Sequence, residues 1–199
     1  VCLNMQGKIR WKTAYGKEWT KNFVGSRSTP TVVDTHVYVC GGLGDIACFS
    51  SQSGEKIWQK NMFDSLGAVM PRFGISESLL VDGDFVYCTP GSKDTTMAAL
   101  NRRTGELIWA CDADSEMPSY SSPLLFVHNS RKIISTHTKQ FVIGVDAITG
   151  ELLWKHKQLA KGQADVHGNT PVYDKGHLYY VTGAGNFAVK LWINQEGDS

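Results

Sequence analysis

The sequence carries almost no net charge: 20 Lys and Arg face 19 Asp and Glu across 199 residues, leaving +1 with the 6 His neutral. So weak a field does not gather a polyanion, which argues against nucleic-acid binding and against attachment to an anionic membrane surface. Long apolar runs are also missing; none approaches the roughly 18 residues a bilayer-spanning helix needs. There is no basic-then-apolar leader and the first residue is Val1, so a secretory signal already removed is the expectation for an exported chain. The five cysteines are an odd number without a Cys-x-x-Cys, which indicates neither a disulfide framework nor a zinc ribbon. No histidines stand four apart, so metal-ligand spacing is lacking as well. What is plentiful is glycine, at 20, and aromatic residues, with 6 Trp, 7 Tyr and 8 Phe. That balance favours an all-β fold with many turns.

The sequence repeats itself. Gly7-Lys8-Ile9-Arg10-Trp11, Gly54-Glu55-Lys56-Ile57-Trp58, Gly105-Glu106-Leu107-Ile108-Trp109 and Gly150-Glu151-Leu152-Leu153-Trp154 share one pattern. Their tryptophans stand 47, 51 and 45 residues apart. Upstream, Cys2, Cys48, Ala99 and Gly144 form a small-residue column, and Asn4, Ser50, Asn101 and Asp146 a turn-forming one. Between successive motifs lie four short runs rich in Val, Ile, Tyr and Phe, such as Thr29-Val33, His36-Cys40, Asp45-Phe49 and Lys56-Gln59. Four strands per period in the forties define the blades of a β-propeller. No stretch has a helical period. The expected organisation is one propeller segment over residues 1–199. Residues 1–11 supply the last two strands of a blade, about 27–60, 75–111 and 120–156 complete blades, and about 168–199 an incomplete one.

Within each motif the Asn, Ser or Asp side chain closes the turn and Gly takes the positive-φ position that ends it. Trp11, Trp58, Trp109 and Trp154 are then expected to dock across the small-residue column of a neighbouring blade. Burial of one such indole is worth roughly 3–5 kcal/mol.

The runs Ala99-Leu100-Asn101-Arg102-Arg103-Thr104-Gly105-Glu106-Leu107-Ile108-Trp109 and Gly144-Val145-Asp146-Ala147-Ile148-Thr149-Gly150-Glu151-Leu152-Leu153-Trp154 resemble the tryptophan-docking motif of the quinoprotein propellers. That motif reads Ala-x-Asp-x-x-Thr-Gly-Glu-x-x-Trp; one copy here replaces Asp by Asn and the other Ala by Gly. The resemblance covers essentially the whole chain. It points to the PQQ-binding-like β-propeller repeat proteins, a group that includes the scaffold protein BamB and polyvinyl-alcohol dehydrogenase. It implies eight blades, about twice the length present, and a periplasmic or otherwise exported protein of the bacterial envelope. A segment of this length is expected to be completed by further blades or by a second copy of itself.

Ligands of propellers sit where connectors enter the innermost strands. Aligning those entries places Arg27, Glu77, Tyr120, His167 and Asn169 on one funnel face. Three readings of this ring compete. The resemblance implies that Glu77 and Asn169 could serve as oxygen ligands of a Ca²⁺ ion beside pyrroloquinoline quinone, in an alcohol or sugar dehydrogenase. Against it, no Asp occupies the ring column, and no two cysteines are adjacent, as they are in many alcohol-oxidising quinoproteins. A second reading pairs Arg27 with Glu77 as a structural ion pair across blades. The third, favoured here, is a non-catalytic binding or scaffold propeller without cofactor or metal, holding a protein, peptide or glycan at the funnel face. A hydrolase or lyase ranks behind these for want of a triad or acid pair.

The remaining candidates read as structural. Cys2, Cys40, Cys48 and Cys88 are small packing residues, with Cys111 partly exposed. His36, His128, His156 and His177 are solvated residues of turns and strand ends. Gly41-Gly42-Leu43-Gly44 and Gly183-Ala184-Gly185 are hairpin turns, because neither opens a helix that would hold phosphate. Arg102-Arg103 and Arg131-Lys132 are solvated edges.

Overall fold

A computed structural model describes residues 1–158, 166–183 and 187–194. It is a β-propeller segment in which every described sheet is antiparallel and, within each sheet, strands pair in sequence order. The first sheet is the pair β1 (Cys2–Leu3) and β2 (Ile9–Trp11). The second holds β3 (Thr31–Val33), β4 (His36–Cys40), β5 (Asp45–Ser50) and β6 (Lys56–Asn61). A one-turn helix, α1 (Met62–Leu66), follows; Asn61 caps it, its side chain accepting from Phe63 N at 3.0 Å. No sequence period announced this helix, because five residues are too few to show one.

The third sheet comprises β7 (Leu80–Asp82), β8 (Phe85–Cys88), β9 (Met97–Asn101) and β10 (Leu107–Cys111). The fourth comprises β11 (Leu124–His128), β12 (Arg131–His137), β13 (Phe141–Asp146) and β14 (Leu152–Lys157). The fifth holds β15 (Val172–Asp174), β16 (His177–Val181) and β17 (Ala188–Trp192). The first strands β3, β11 and β15 start just after Pro30, Pro123 and Pro171, which lack the N–H a ladder requires. Ala184 and Gly185 of the second glycine-rich turn lie outside the described residues, as do residues 159–165 and 195–199.

Apolar faces of successive blades meet in three clusters. Tyr38, Cys40, Ile46 and Trp58 pack on Val86, Cys88 and Leu100; Tyr87, Met97 and Trp109 on Ile134, Ile143 and Val145; Phe126, Ile133 and Trp154 on Leu178 and Tyr180. Cys111 is buried with the second cluster, not partly exposed as its place after Trp109 suggested.

The tryptophan geometry corrects one expectation. Trp11, Trp58, Trp109 and Trp154 stand opposite Cys2, Cys48, Ala99 and Gly144 of their own sheets, so the small-residue column is not the neighbour's. The register slips next to each pair, a bulge in all four copies. What the neighbour contributes is its turn. Trp11 Nε1 donates to Ser51 O at 3.0 Å, Trp58 Nε1 to Arg102 O at 2.9 Å and Trp109 Nε1 to Ala147 O at 3.3 Å. Each indole covers the turn glycine beyond, Gly54, Gly105 and Gly150 respectively, where φ is +72° to +78°. The turn is closed by Asn101 Oδ1, which accepts from Arg103 N and Thr104 N, and by Asp146 Oδ1 from Ile148 N and Thr149 N.

The basic pairs are not idle edges. Arg102 bridges to Asp34 at 3.0 Å and Lys132 to Asp82 at 2.5 Å, each reaching back one blade. Arg131 binds Asp146 at 2.8 Å and Glu151 at 2.7 Å within its own blade. Burial pushes the Asp146 carboxyl up, but the bonds from Arg131, Thr149 and Ile148 together outweigh it and hold the pKa below its ordinary value. His128 is likewise buried, with Nδ1 2.9 Å from Tyr173 Oη and Nε2 2.6 Å from Asn194 O.

Candidate functional site

The connectors entering the blades lie side by side and are tied together across four of them. Arg27 Nη1 donates to Phe73 O, Phe73 N donates to Tyr120 Oη at 3.2 Å, and Tyr120 N donates to His167 O at 3.1 Å. Two serines also stitch consecutive entries just before their first strands. Thr29 N donates to Ser78 Oγ and Ser78 N to Ser122 Oγ, both at 2.9 Å. The aligned hydroxyls in consecutive entries were the available sequence signal for this stitch, and pairing between blades is what gives it meaning.

Arg27 and Glu77 do not pair. The Arg27 guanidinium spends its donors on carbonyls, Phe73 O as above, Asn22 O at 3.0 Å and Phe23 O at 3.1 Å. It also lies 5.8 Å from the Trp19 ring. Glu77 is only 3% exposed, and its Oε1 accepts from Thr89 N at 2.9 Å. Ser121 does the same one blade on, its Oγ accepting from His137 N at 3.2 Å, so Glu77 fills a backbone-capping place that serine fills elsewhere. Oε2 has no hydrogen-bond partner among the described residues. Burial pushes the carboxyl up to about 7 from its ordinary 4.5, against the opposing bond from Thr89.

His167 is fully buried. Its Nδ1 accepts from Gly183 N at 3.2 Å, its backbone N–H donates to Ser119 Oγ at 3.0 Å, and its ring stacks on His137 with centroids 5.3 Å apart. Burial, aided by the His167 ring and opposed by a 2.8 Å bond to Gln158 Oε1, lowers His137 to about 4. Kept neutral by burial, the His137 imidazole is a packing and hydrogen-bonding group. Tyr120 is half-buried, with its ring 5.8 Å from that of Phe73. Asn169 is exposed.

The ring residues are therefore neighbours in the connector belt without converging on one point. Glu77 is sealed between blades while Asn169 faces solvent, an arrangement that does not fit two oxygen ligands of one Ca²⁺ ion beside a quinone. Among the described residues no three His, Cys, Asp or Glu side chains come together as metal ligands. Sequence reasoning missed the most exposed feature of this face, the tip Asn22-Phe23-Val24. Phe23 is 84% and Val24 74% exposed.

The fold and the belt together place the chain in a class, the propellers built from quinoprotein-type repeats. The particular family follows from residues 1–197, which match the profile of the outer membrane protein assembly factor BamB family; the chain belongs to that family. It is 26% identical over 185 residues to BamB of Kangiella koreensis, covering 86% of this chain and 44% of that protein. It is 23% identical over 201 residues to the tetrathionate hydrolase of Acidithiobacillus ferrooxidans, covering 96% and 38%. Among solved structures it resembles the quinohemoprotein alcohol dehydrogenase of Comamonas testosteroni, with a TM-score of 0.61 and 20% identity over 81% of this chain and 30% of that one. The chain thus spans less than half the length of these relatives. No helix among the described residues is long and apolar enough to cross a membrane.

Proposed function

We propose that this chain belongs to a non-catalytic binding and scaffold propeller of the bacterial envelope, periplasmic or otherwise exported, which holds a protein, peptide or glycan at the connector face. One observation carries the reading: the reactive-looking residues of the belt are committed to holding backbone. Glu77 caps Thr89 N, Arg27 clamps three carbonyls, and His167 receives Gly183 N. Among the described residues no set of metal ligands comes together, while Phe23 and Val24 stand out beside the belt. The BamB relative supports a scaffold role by its name as an assembly factor.

The competing reading, oxidation of an alcohol or sugar with pyrroloquinoline quinone and Ca²⁺, is tested directly. The full-length protein is titrated with the quinone, with and without Ca²⁺, while tryptophan fluorescence is followed. The binding-module reading expects no saturable quenching. Saturable, Ca²⁺-dependent quenching that is lost in Glu77→Gln and Asn169→Ala would replace it with the dehydrogenase.

A further inference from the structure

We propose that the corner made by Phe23 and Val24 with Lys21, Arg27 and Arg72 captures an extended acidic peptide bearing an apolar anchor. This deepens, and rests on, the binding-module reading. The first observation is strain. Asn22 and Phe23 both have positive φ, 33° and 61°, a left-handed backbone that a bulky aromatic residue avoids. The surroundings impose it. Trp19 Nε1 donates to Asn22 O at 3.3 Å, Gly25 N to Trp19 O at 3.1 Å, and Arg27 holds the carbonyls of both residues. Trp19 is itself buried against Gly42 and Gly74. A rigid base thus holds an aromatic ring and a valine out in water, at a cost that folding does not recover.

The second observation is charge. Lys21 Nζ lies 6.0 Å from the Trp19 ring, Arg27 shares that ring, and the Arg72 guanidinium lies 5.1 Å from the Phe73 ring. None of the three forms an ion pair among the described residues; Arg27 bonds only neutral carbonyls, so its charge is not cancelled. In a chain of net charge +1, three uncompensated cations around one apolar tip are a local excess. The third observation is continuity. From the tip, Arg27 leads to Phe73 and Phe73 to Tyr120, both half-buried between connectors. A flat bilayer reaches Phe23 and Val24 but not those recessed rings, whereas an extended peptide follows the strip and places carboxylates against the guanidinium groups.

The test is selection from an unbiased dodecapeptide library on the immobilised full-length protein, followed by titration of the enriched peptide. The expected result is enrichment of peptides that combine Asp or Glu with an aromatic or aliphatic residue, bound more weakly as salt rises. Phe23→Asp and, separately, Arg72→Glu should each weaken binding by about tenfold or more. Both side chains are outward, and near-ultraviolet circular dichroism verifies that each variant keeps its fold. Absence of enrichment, enrichment of uncharged or basic peptides, or unchanged binding by both variants overturns the proposal. So does Phe23-dependent binding to phosphatidylglycerol vesicles that the enriched peptide fails to displace. The quinone titration separates the two claims: failure of the peptide test with no quinone response removes this inference alone, while a positive quinone response removes the reading beneath it.

Discussion

The Trp58 indole lies so close over Gly105 of the following blade that a Cβ built on that glycine would sit 2.8 Å from the ring. Backbone φ there is +72°, a value that L side chains rarely adopt. One glycine therefore meets two demands, the turn's conformation and the neighbour's ring. Trp11 over Gly54 and Trp109 over Gly150 repeat the relationship.

From this, Gly105→Ala should cost about 2–4 kcal/mol, the sum of a left-handed alanine and an overpacked interface. Trp58→Ala should cost about 3–5 kcal/mol by emptying the same contact. The double variant should lose less than the two costs added, because each change relieves part of the other's damage. Urea denaturation of the three proteins checks this; strict additivity would mean that the ring and the glycine are not coupled.

Trp154 differs from its three counterparts. By backbone pairing, Ile193 N to Gly176 O matches Ala147 N to Lys132 O, so Ile193 O is the acceptor equivalent to Ala147 O. Yet Trp154 Nε1 has no partner among the described residues. Its ring instead leans onto Gly144, where a Cβ would fall 2.1 Å away, although Ala99 and Cys48 accommodate a side chain opposite Trp109 and Trp58. Gly144→Ala should thus push Trp154 towards its counterparts' position at a cost of about 1–2 kcal/mol, less than Gly105→Ala. A shift in tryptophan fluorescence with small loss of stability is the expected signature; a loss equal to that of Gly105→Ala would contradict it.

The repeat was legible because its causes are local. A turn needs Gly with Asn, Ser or Asp, and a half-buried strand alternates apolar with polar residues, so both leave marks within ten or so positions. Which sheet each tryptophan lies against was not legible, because Cys48 is its cross-strand partner in the same blade while Gly105 is supplied by the next. The site divides the same way. Alignment brought Arg27, Tyr120 and His167 to one belt, yet it could not say that Glu77 turns between the blades to cap Thr89 N. The exposed Phe23 gave no signal, since its placement depends on Trp19 and Arg27 holding its backbone.

Arg27→Gln should release that tip. Losing bonds to the carbonyls of Asn22, Phe23 and Phe73 removes the groups that hold two left-handed residues, at a global cost of about 1–2 kcal/mol. Hydrogen exchange at Phe23, Val24 and Gly25 should accelerate while β4 and β8 stay protected. Unchanged exchange at the tip would mean that Trp19 alone holds it.

Glu77 and His137 make opposite contributions to stability across one pH window. The Glu77 carboxyl titrates near 7 in the folded protein against about 4.5 when exposed, so the folded state holds a proton there that the unfolded chain has lost. Stability from this group is therefore greatest in acid and falls as pH rises from 4.5 to 7. His137 titrates near 4 instead of 6.5, so the unfolded chain takes up its proton first and stability falls as pH drops from 6.5 to 4. Each effect is on the order of 3 kcal/mol at most, from shifts of similar size. Together they flatten the wild-type profile between pH 4.5 and 6.5. Glu77→Gln, which keeps an acceptor for Thr89 N, should leave His137 unopposed and make the protein lose stability in acid. His137→Gln should do the reverse, with stability declining towards neutral pH. Urea denaturation at stepped pH distinguishes them: diverging profiles either side of a flat wild type are expected, and three parallel profiles would show that neither buried group titrates with folding.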